Sequence, residues 1–411
     1  MIRFYATNMI AQTLGRSFSI VAQVLVFVLI ARRFGAEALG QYAYFLTFVN
    51  VCATFADFGS TVTMAKDLPR FEGEKRELYL GNVIIIRGVL AFLVMIFALA
   101  VVPFLGRDLL YILIIGVITI PFAASRFFDP VFQILEKPWY ASISTGLYGI
   151  SFVLFSIPLI LFDSPLWTLC VAYLVAQIFY LVLAWLLTRS LIKPRFVFNR
   201  DLCITHLKIA IPIGISFIFT AINSRADTFL LEWMRGVRDV GMYNAVYKVV
   251  DTAALFAVLT TNPLIPILSQ KKQQGMDHFT KTLFLVAGLF VGFLIPIALA
   301  TPLFSEWFVA LVYGESFREA AQALNVLSWV CMLIFVGLLA STACLVMDVV
   351  HFEWWNAAVA AALNITINLF LIPVYGYLGS AWATLASEIW IVSVTIFFMI
   401  RAIGKVKIRL L

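Results

Sequence analysis

The sequence predicts an all-α polytopic membrane protein with about twelve transmembrane helices in two six-helix lobes. Three observations lead there. Hydrophobic residues make up 63% of the 411-residue chain and charged residues only 12%, against roughly half and a quarter in soluble domains. The apolar residues come in blocks long enough to cross a bilayer, at about 20 residues per crossing. One turn also recurs: Arg33, Phe34 and Gly35, followed by Gly40 and Tyr42, are echoed by Arg235 and Gly236, followed by Gly241 and Tyr243.

The opening apolar block, residues 10–31, contains Gln12, Arg16, Ser17 and Gln23. It is too polar for the core of a cleavable leader and reads as the first span. Blocks at 39–63, 81–105, 109–135, 139–162 and 166–188 complete an N-terminal lobe, residues 1–190. Residues 191–206 are polar and cationic, contain Pro194, and read as a cytoplasmic linker. The C-terminal lobe, 207–411, holds blocks at 209–232, 241–268, 281–303, 321–347, 352–372 and 378–400. Residues 104–108 before the fourth block resemble 313–317 before the tenth. Six spans per lobe make the repeat parallel, its pseudo-axis along the membrane normal. No loop is long enough to fold as a soluble domain.

The net charge of +7 reads as a topology signal before it reads as affinity for nucleic acid. With the N-terminus inside, Lys66, Arg70, Lys75, Arg76, Lys193, Arg195, Lys271, Lys272 and Lys405 are among the cytoplasmic cations, and the few outside are Arg32, Arg33, Arg107, Arg235, Arg238 and Arg318. The bias predicts that both termini face the cytoplasm.

Cys52, Cys170, Cys203, Cys331 and Cys344 show no Cys-x-x-Cys spacing, and four of them lie in apolar runs. Neither a disulfide nor a metal site is expected from them. His206, His278 and His351 are scattered without ligand-like pairing and read as surface residues. Pro121, Pro212, Pro263, Pro266 and Pro296 lie in or near spans, as joints or fixed kinks. Gly288 and Gly292 form a Gly-x-x-x-Gly, a signal for close helix packing.

Ten charged residues fall inside apolar blocks: Arg16, Asp57, Arg87, Arg126, Asp129, Arg225, Asp227, Lys248, Asp251 and Glu388. At ~2.5–3.5 kcal/mol each against lipid they would together cost on the order of 30 kcal/mol, so they face a cavity, one another or a headgroup. Arg126 with Asp129, and Lys248 with Asp251, are spaced i,i+3 and read as intramembrane ion pairs. Arg225 and Asp227 point nearly opposite ways around one helix and cannot pair. Arg16, Arg87 and Arg225 lack an obvious local partner. They are candidates either for phosphate binding, with Asn223 beside Arg225, or for buried ion pairs to Asp57, Asp227 or Glu388. No catalytic constellation, Asp-x-Asp motif or large outside loop occurs, which argues against a polymerase, ligase or glycosyltransferase enzyme.

Three further stretches carry a resemblance. Ala56-Asp57-Phe58-Gly59, Ala226-Asp227 with Val240-Gly241-Met242-Tyr243, and the run Asn364, Asn368, Ile372-Pro373, Tyr375-Gly376, Gly379-Ser380-Ala381, Thr384, Ser387 and Glu388 resemble the signatures of Wzx-type lipid-linked oligosaccharide flippases. That is the polysaccharide-exporter branch of the superfamily that also holds multidrug extruders. The resemblance implies a two-lobed transporter, not an enzyme, working by alternating access in the bacterial inner membrane. Its substrate would be undecaprenyl-diphosphate-linked oligosaccharide for O-antigen or another surface polysaccharide. It also implies no cofactor, possible coupling to protons or sodium with Asp57, Asp227 or Glu388 as titrating groups, and a polysaccharide polymerase and chain-length machinery as partners. A multidrug extruder of the same superfamily is the alternative, disfavoured by the arginines.

Overall fold

The computed structural model describes the backbone of residues 2–105 and 109–410 and the side chains of residues 18–105 and 109–404. Among the described residues there are helices and no strand. Eleven helical stretches are long and apolar enough to cross a membrane. The first of these lies in α1 (Ile2–Asp57), which is two helices broken at Gly35, where φ is 81° and ψ −171°. With eleven such stretches among the described residues, the chain is a multi-pass membrane protein.

The recurring turn is a recurring backbone shape. Gly236, between α8 (Arg200–Arg235) and α9 (Val237–Thr261), has φ 87° and ψ 176°, nearly the conformation of Gly35. A side chain at positive φ is strained, which accounts for glycine at both breaks. One turn beyond each break comes a second glycine. A Cβ built on Gly40 would lie 1.7 Å from the Val237 carbonyl oxygen, and one on Gly241 would lie 1.9 Å from that of Ala36.

The chain divides into two compact units, residues 1–34 with 41–221, and residues 35–40 with 222–411. The first contains α2 (Ser60–Asp67), α3 (Gly73–Val101), α4 (Leu110–Ala123), α5 (Phe128–Ile134), α6 (Pro138–Leu161), α7 (Leu166–Leu191) and the start of α8. The linker is shorter than its polarity suggested. Only 192–199 is extended, and it is tied to α3: the Arg195 N–H donates to the Glu77 carbonyl at 3.1 Å, and Asn82 Nδ2 to the Val197 carbonyl at 2.9 Å. Asn199 then accepts the Leu202 N–H at 3.1 Å, an N-cap that starts α8 at Arg200 rather than near 209.

The fourth apolar block also departs from one continuous helix. A 3-10 turn, Ala124–Phe127, separates α4 from α5. Pro121 lies in the last turn of α4, and Pro130 has no N–H to offer the Arg126 carbonyl, so the α-helical ladder fails between them. His206, expected at the surface, is 1% exposed. Its Nε2 lies 2.9 Å from Ser60 Oγ and its Nδ1 2.9 Å from Tyr79 Oη, because the early start of α8 brings it against α2 and α3. Outside the spans, Arg33 grips Asp163 through two bonds of 2.7 and 2.6 Å and holds its carboxyl below the ordinary carboxylate range. That contribution is present above the usual carboxylate pKa and fades as pH falls through the depressed one.

The second unit adds α10 (Leu264–Gln274), α11 (Met276–Tyr313), α12 (Ala321–Val346), α13 (Glu353–Tyr375) and α14 (Tyr377–Leu410). Helix α12 packs on α9, α11 and α14, and α13 packs on α14. One core cluster joins Phe279, Leu283, Leu339, Cys344, Phe352 and Met399, with the Phe352 and Phe398 rings stacked at 4.3 Å. Phe352→Ala is expected to cost about 3–5 kcal/mol, read as a lowered melting temperature in detergent. Phe293→Ala, at a position 70% exposed, should leave the melting temperature unchanged. Gly288 and Gly292 have nothing within 4 Å of a built Cβ, so among the described residues their Gly-x-x-x-Gly spacing marks no close packing contact.

Candidate functional site

The second unit holds a buried carboxylate in a shell of neutral polar groups. Asp227, on α8, is 1% exposed. Its Oδ2 accepts Tyr243 Oη of α9 at 2.6 Å and Thr384 Oγ1 of α14 at 2.8 Å. Its Oδ1 accepts Asn368 Nδ2 of α13 at 2.7 Å, and the same amide group reaches Asn364 Oδ1 at 3.0 Å. Three helices each contribute residues spaced i,i+4, which stack on one helix face: Asn223 and Asp227, Asn364 and Asn368, Ser380 and Thr384.

This shell is incompletely satisfied. Asn223 Oδ1, Asn364 Nδ2, Asn368 Oδ1 and Ser380 Oγ are buried with no hydrogen-bond partner, although buried polar atoms are almost always paired. One anionic oxygen pair, amide oxygens and hydroxyls are the hard donors that suit a small monovalent cation. Among the described residues no cluster of three His, Cys, Asp or Glu could hold a metal ion. Oxygen donors of this kind are hard ligands, unlike the thiolates and imidazoles that favour transition metals.

One helical turn from this shell, two cations share one carboxylate. Arg225 Nη2 donates to Asp251 Oδ1 at 2.8 Å, and Lys248 Nζ lies 3.5 Å from Asp251 Oδ2. Arg225 also faces the Tyr247 ring at 5.6 Å, and its side chain remains 26% exposed. Sequence spacing identifies Lys248 with Asp251 but misses Arg225, which reaches Asp251 from another helix. Glu388 is half-buried one turn after Thr384 on α14 and makes no hydrogen bond or ion pair among the described residues.

In the first unit, Arg87 is not a free cation. It bonds Asp57, Thr61 Oγ1 at 3.0 Å and the Ala124 carbonyl at 2.6 Å, with its guanidinium 4.4 Å from the Phe127 ring centroid. Asp57 also accepts Thr61 Oγ1. Arg87 and Asp57 thus belong to one network, with the arginine buried and the carboxylate half-buried. Arg126 and Asp129 do not form the expected direct pair. Arg126 lies over the Tyr148 and Tyr180 rings at 4.4 and 4.6 Å, while Asp129 Oδ1 accepts Tyr180 Oη at 2.7 Å. The reason is the 3-10 turn, which takes Arg126 off the α-helical face assumed for i,i+3 pairing. The Arg16 side chain lies outside the described residues.

A family of polysaccharide biosynthesis proteins matches residues 5–272. An uncharacterized membrane protein of Methanocaldococcus jannaschii, MJ1068, is 24% identical over 392 residues, covering 88% of this chain and 77% of that protein. The probable low-salt glycan biosynthesis flippase Agl15 of Haloferax volcanii is 23% identical over 403 residues, covering 93% and 80%. Among solved structures, the lipid II flippase MurJ in an inward closed conformation superposes with a TM-score of 0.79 at 15% identity, covering 97% of this chain and 90% of that one. With a match over more than half its length, this chain belongs to the polysaccharide biosynthesis protein family.

Proposed function

We propose that the protein is a flippase moving a polyprenyl-diphosphate-linked oligosaccharide, in a bacterium undecaprenyl-linked, from the cytoplasmic to the outer leaflet. It would work from the inner membrane with both termini in the cytoplasm, feeding a polysaccharide polymerase and its chain-length machinery for O-antigen or a comparable surface glycan. The observation that carries the reading is the Arg225, Lys248 and Asp251 cluster, a partly exposed group of two cations on one carboxylate at membrane depth. Charges at that depth are costly and functional by default, and a forked guanidinium matches a diphosphate oxygen pair. Transport would follow from rocking of one six-helix lobe (1–190) against the other (207–411).

Coupling belongs to Asp227. A fully buried carboxylate among unpaired amide and hydroxyl groups supports alternate occupation by a cation, the exchange that an ion-coupled transporter requires. Glu388, one turn from Thr384, is the second candidate, a carboxylate whose protonation would report on the same lobe.

The test is translocation of a fluorescent polyprenyl-diphosphate oligosaccharide in proteoliposomes. Native protein is expected to move the lipid above the protein-free rate, and Arg225→Ala to reduce that flux at least tenfold. Arg225→Lys, which keeps the charge but loses the fork, should fall between them. Equal flux in all three proteins would remove Arg225 from the substrate path, and native flux no higher than in empty liposomes would refute the flippase reading.

A further inference from the structure

The first unit contains a partly open cavity of about 450 Å³, within the size range of small-molecule sites, and the ion site and the Arg225 cluster use none of its residues. Its walls come from α1, α2, α4, α5, α6, α7 and the intervening 3-10 turn. Donors and acceptors are mixed on them: Arg126 and Asp129 on one side, the amides of Gln23, Asn50 and Gln177 around the rest, and the faces of Tyr148 and Tyr173 between. Arg126 is held in place by the Tyr148 and Tyr180 rings and makes no ion pair among the described residues. Its N–H groups are therefore positioned but uncommitted to a carboxylate. Gln177 is 3% exposed, and its Oε1 has no hydrogen-bond partner. Leaving such an acceptor buried and unpaired costs stability in the empty protein, and an incoming donor would relieve it.

A bare anion would answer Arg126 and leave Gln177 Oε1 facing an acceptor. An apolar group would answer neither. A ring of hydroxyls both donates and accepts at each oxygen and presents C–H faces to aromatic walls. We infer that this cavity receives one pyranose unit of the lipid-linked glycan, with Gln177 Oε1 accepting from a sugar hydroxyl and Arg126 donating to a ring, hydroxyl or carboxylate oxygen. The inference rests on the flippase reading. It adds a sugar subsite within the first unit, separate from the Arg225 cluster that contacts diphosphate.

Binding in lipid nanodiscs separates the two. The probes are a fluorescent polyprenyl diphosphate without sugar, and the same lipid carrying a single hexose, N-acetylhexosamine or hexuronate. Native protein is expected to bind at least one sugar lipid roughly tenfold tighter than the sugar-free one, the gain of about one hydrogen bond. Gln177→Leu should erase most of that difference without lowering the melting temperature, because it deletes an acceptor the fold leaves unpaired. Arg126→Gln should act in the same direction, most strongly if the hexuronate is preferred. A lowered melting temperature in Gln177→Leu, or weakening of all four lipids alike, would make Gln177 structural and overturn the subsite. Native binding that is the same with and without sugar would also overturn it while sparing the flippase reading. Failure to bind any of the four lipids would overturn both.

Discussion

Asp227→Asn is expected to fold, to lose any stabilisation by a bound cation, and to lower ion-driven translocation at least tenfold. Asparagine keeps the shape and one acceptor for Tyr243 and Thr384 but removes the charge that compensates a cation's lost hydration. In the native protein a monovalent cation at about 100 times its dissociation constant should add about 2.7 kcal/mol, visible as a raised melting temperature in detergent relative to choline. Asp227→Ala behaves differently. It removes the acceptor shared by Tyr243, Thr384 and Asn368; Asn368 and Thr384 keep Asn364 and Ser380 as acceptors, so the loss is about 1–3 kcal/mol, that of one buried group, and the melting temperature should fall with or without salt. A cation-dependent shift that persists in Asp227→Asn would move the ion away from this carboxylate.

The second large effect is steric. Gly40→Ala and Gly241→Ala each push a methyl group into a backbone carbonyl, at 1.7 Å and 1.9 Å in the unrelaxed geometry. No rotamer change can relieve a clash with backbone, so the helices must move apart. Each substitution is expected to lower the melting temperature by several degrees and to impair transport. Gly288→Ala and Gly292→Ala provide the contrast. Nothing lies within 4 Å of either position, and alanine gains about 0.5–1 kcal/mol over glycine inside a helix. If the four alanines behaved alike, the tight contact between the two recurring turns would not hold the fold.

How much of this is legible in the sequence depends on whether the information is local. Block length finds the helices, and glycine at the recurring turn marks a backbone conformation that other residues avoid, as Gly35 and Gly236 show. Capping by Asn199 and the double interruption by Pro121 and Pro130 are also local, yet a long apolar run hides both. Ion pairing is a matter of helix rotation and of neighbours distant in the chain. Arg225 meets Asp251 across 26 residues, and Arg87 meets Asp57 across 30; spacing along a single helix contains neither fact. Asp227 stands out as a charge in an apolar run, and Asn364, Asn368 and Thr384 stand out as a motif. That they surround one carboxylate is visible only once α8, α13 and α14 are brought together. The cavity beside Arg126 draws on helices from Ser19 to Gln177, and no periodicity marks a void.

The most direct test of the account is uphill movement. Proteoliposomes are loaded with a fluorescent polyprenyl-diphosphate oligosaccharide in both leaflets, a sodium or proton gradient is imposed, and leaflet asymmetry is followed with native protein and with Asp227→Asn. The account predicts accumulation of the lipid in one leaflet that collapses with the gradient and is absent in Asp227→Asn. Gradient-driven efflux of a cationic dye, with the lipid-linked glycan remaining symmetric, would contradict it.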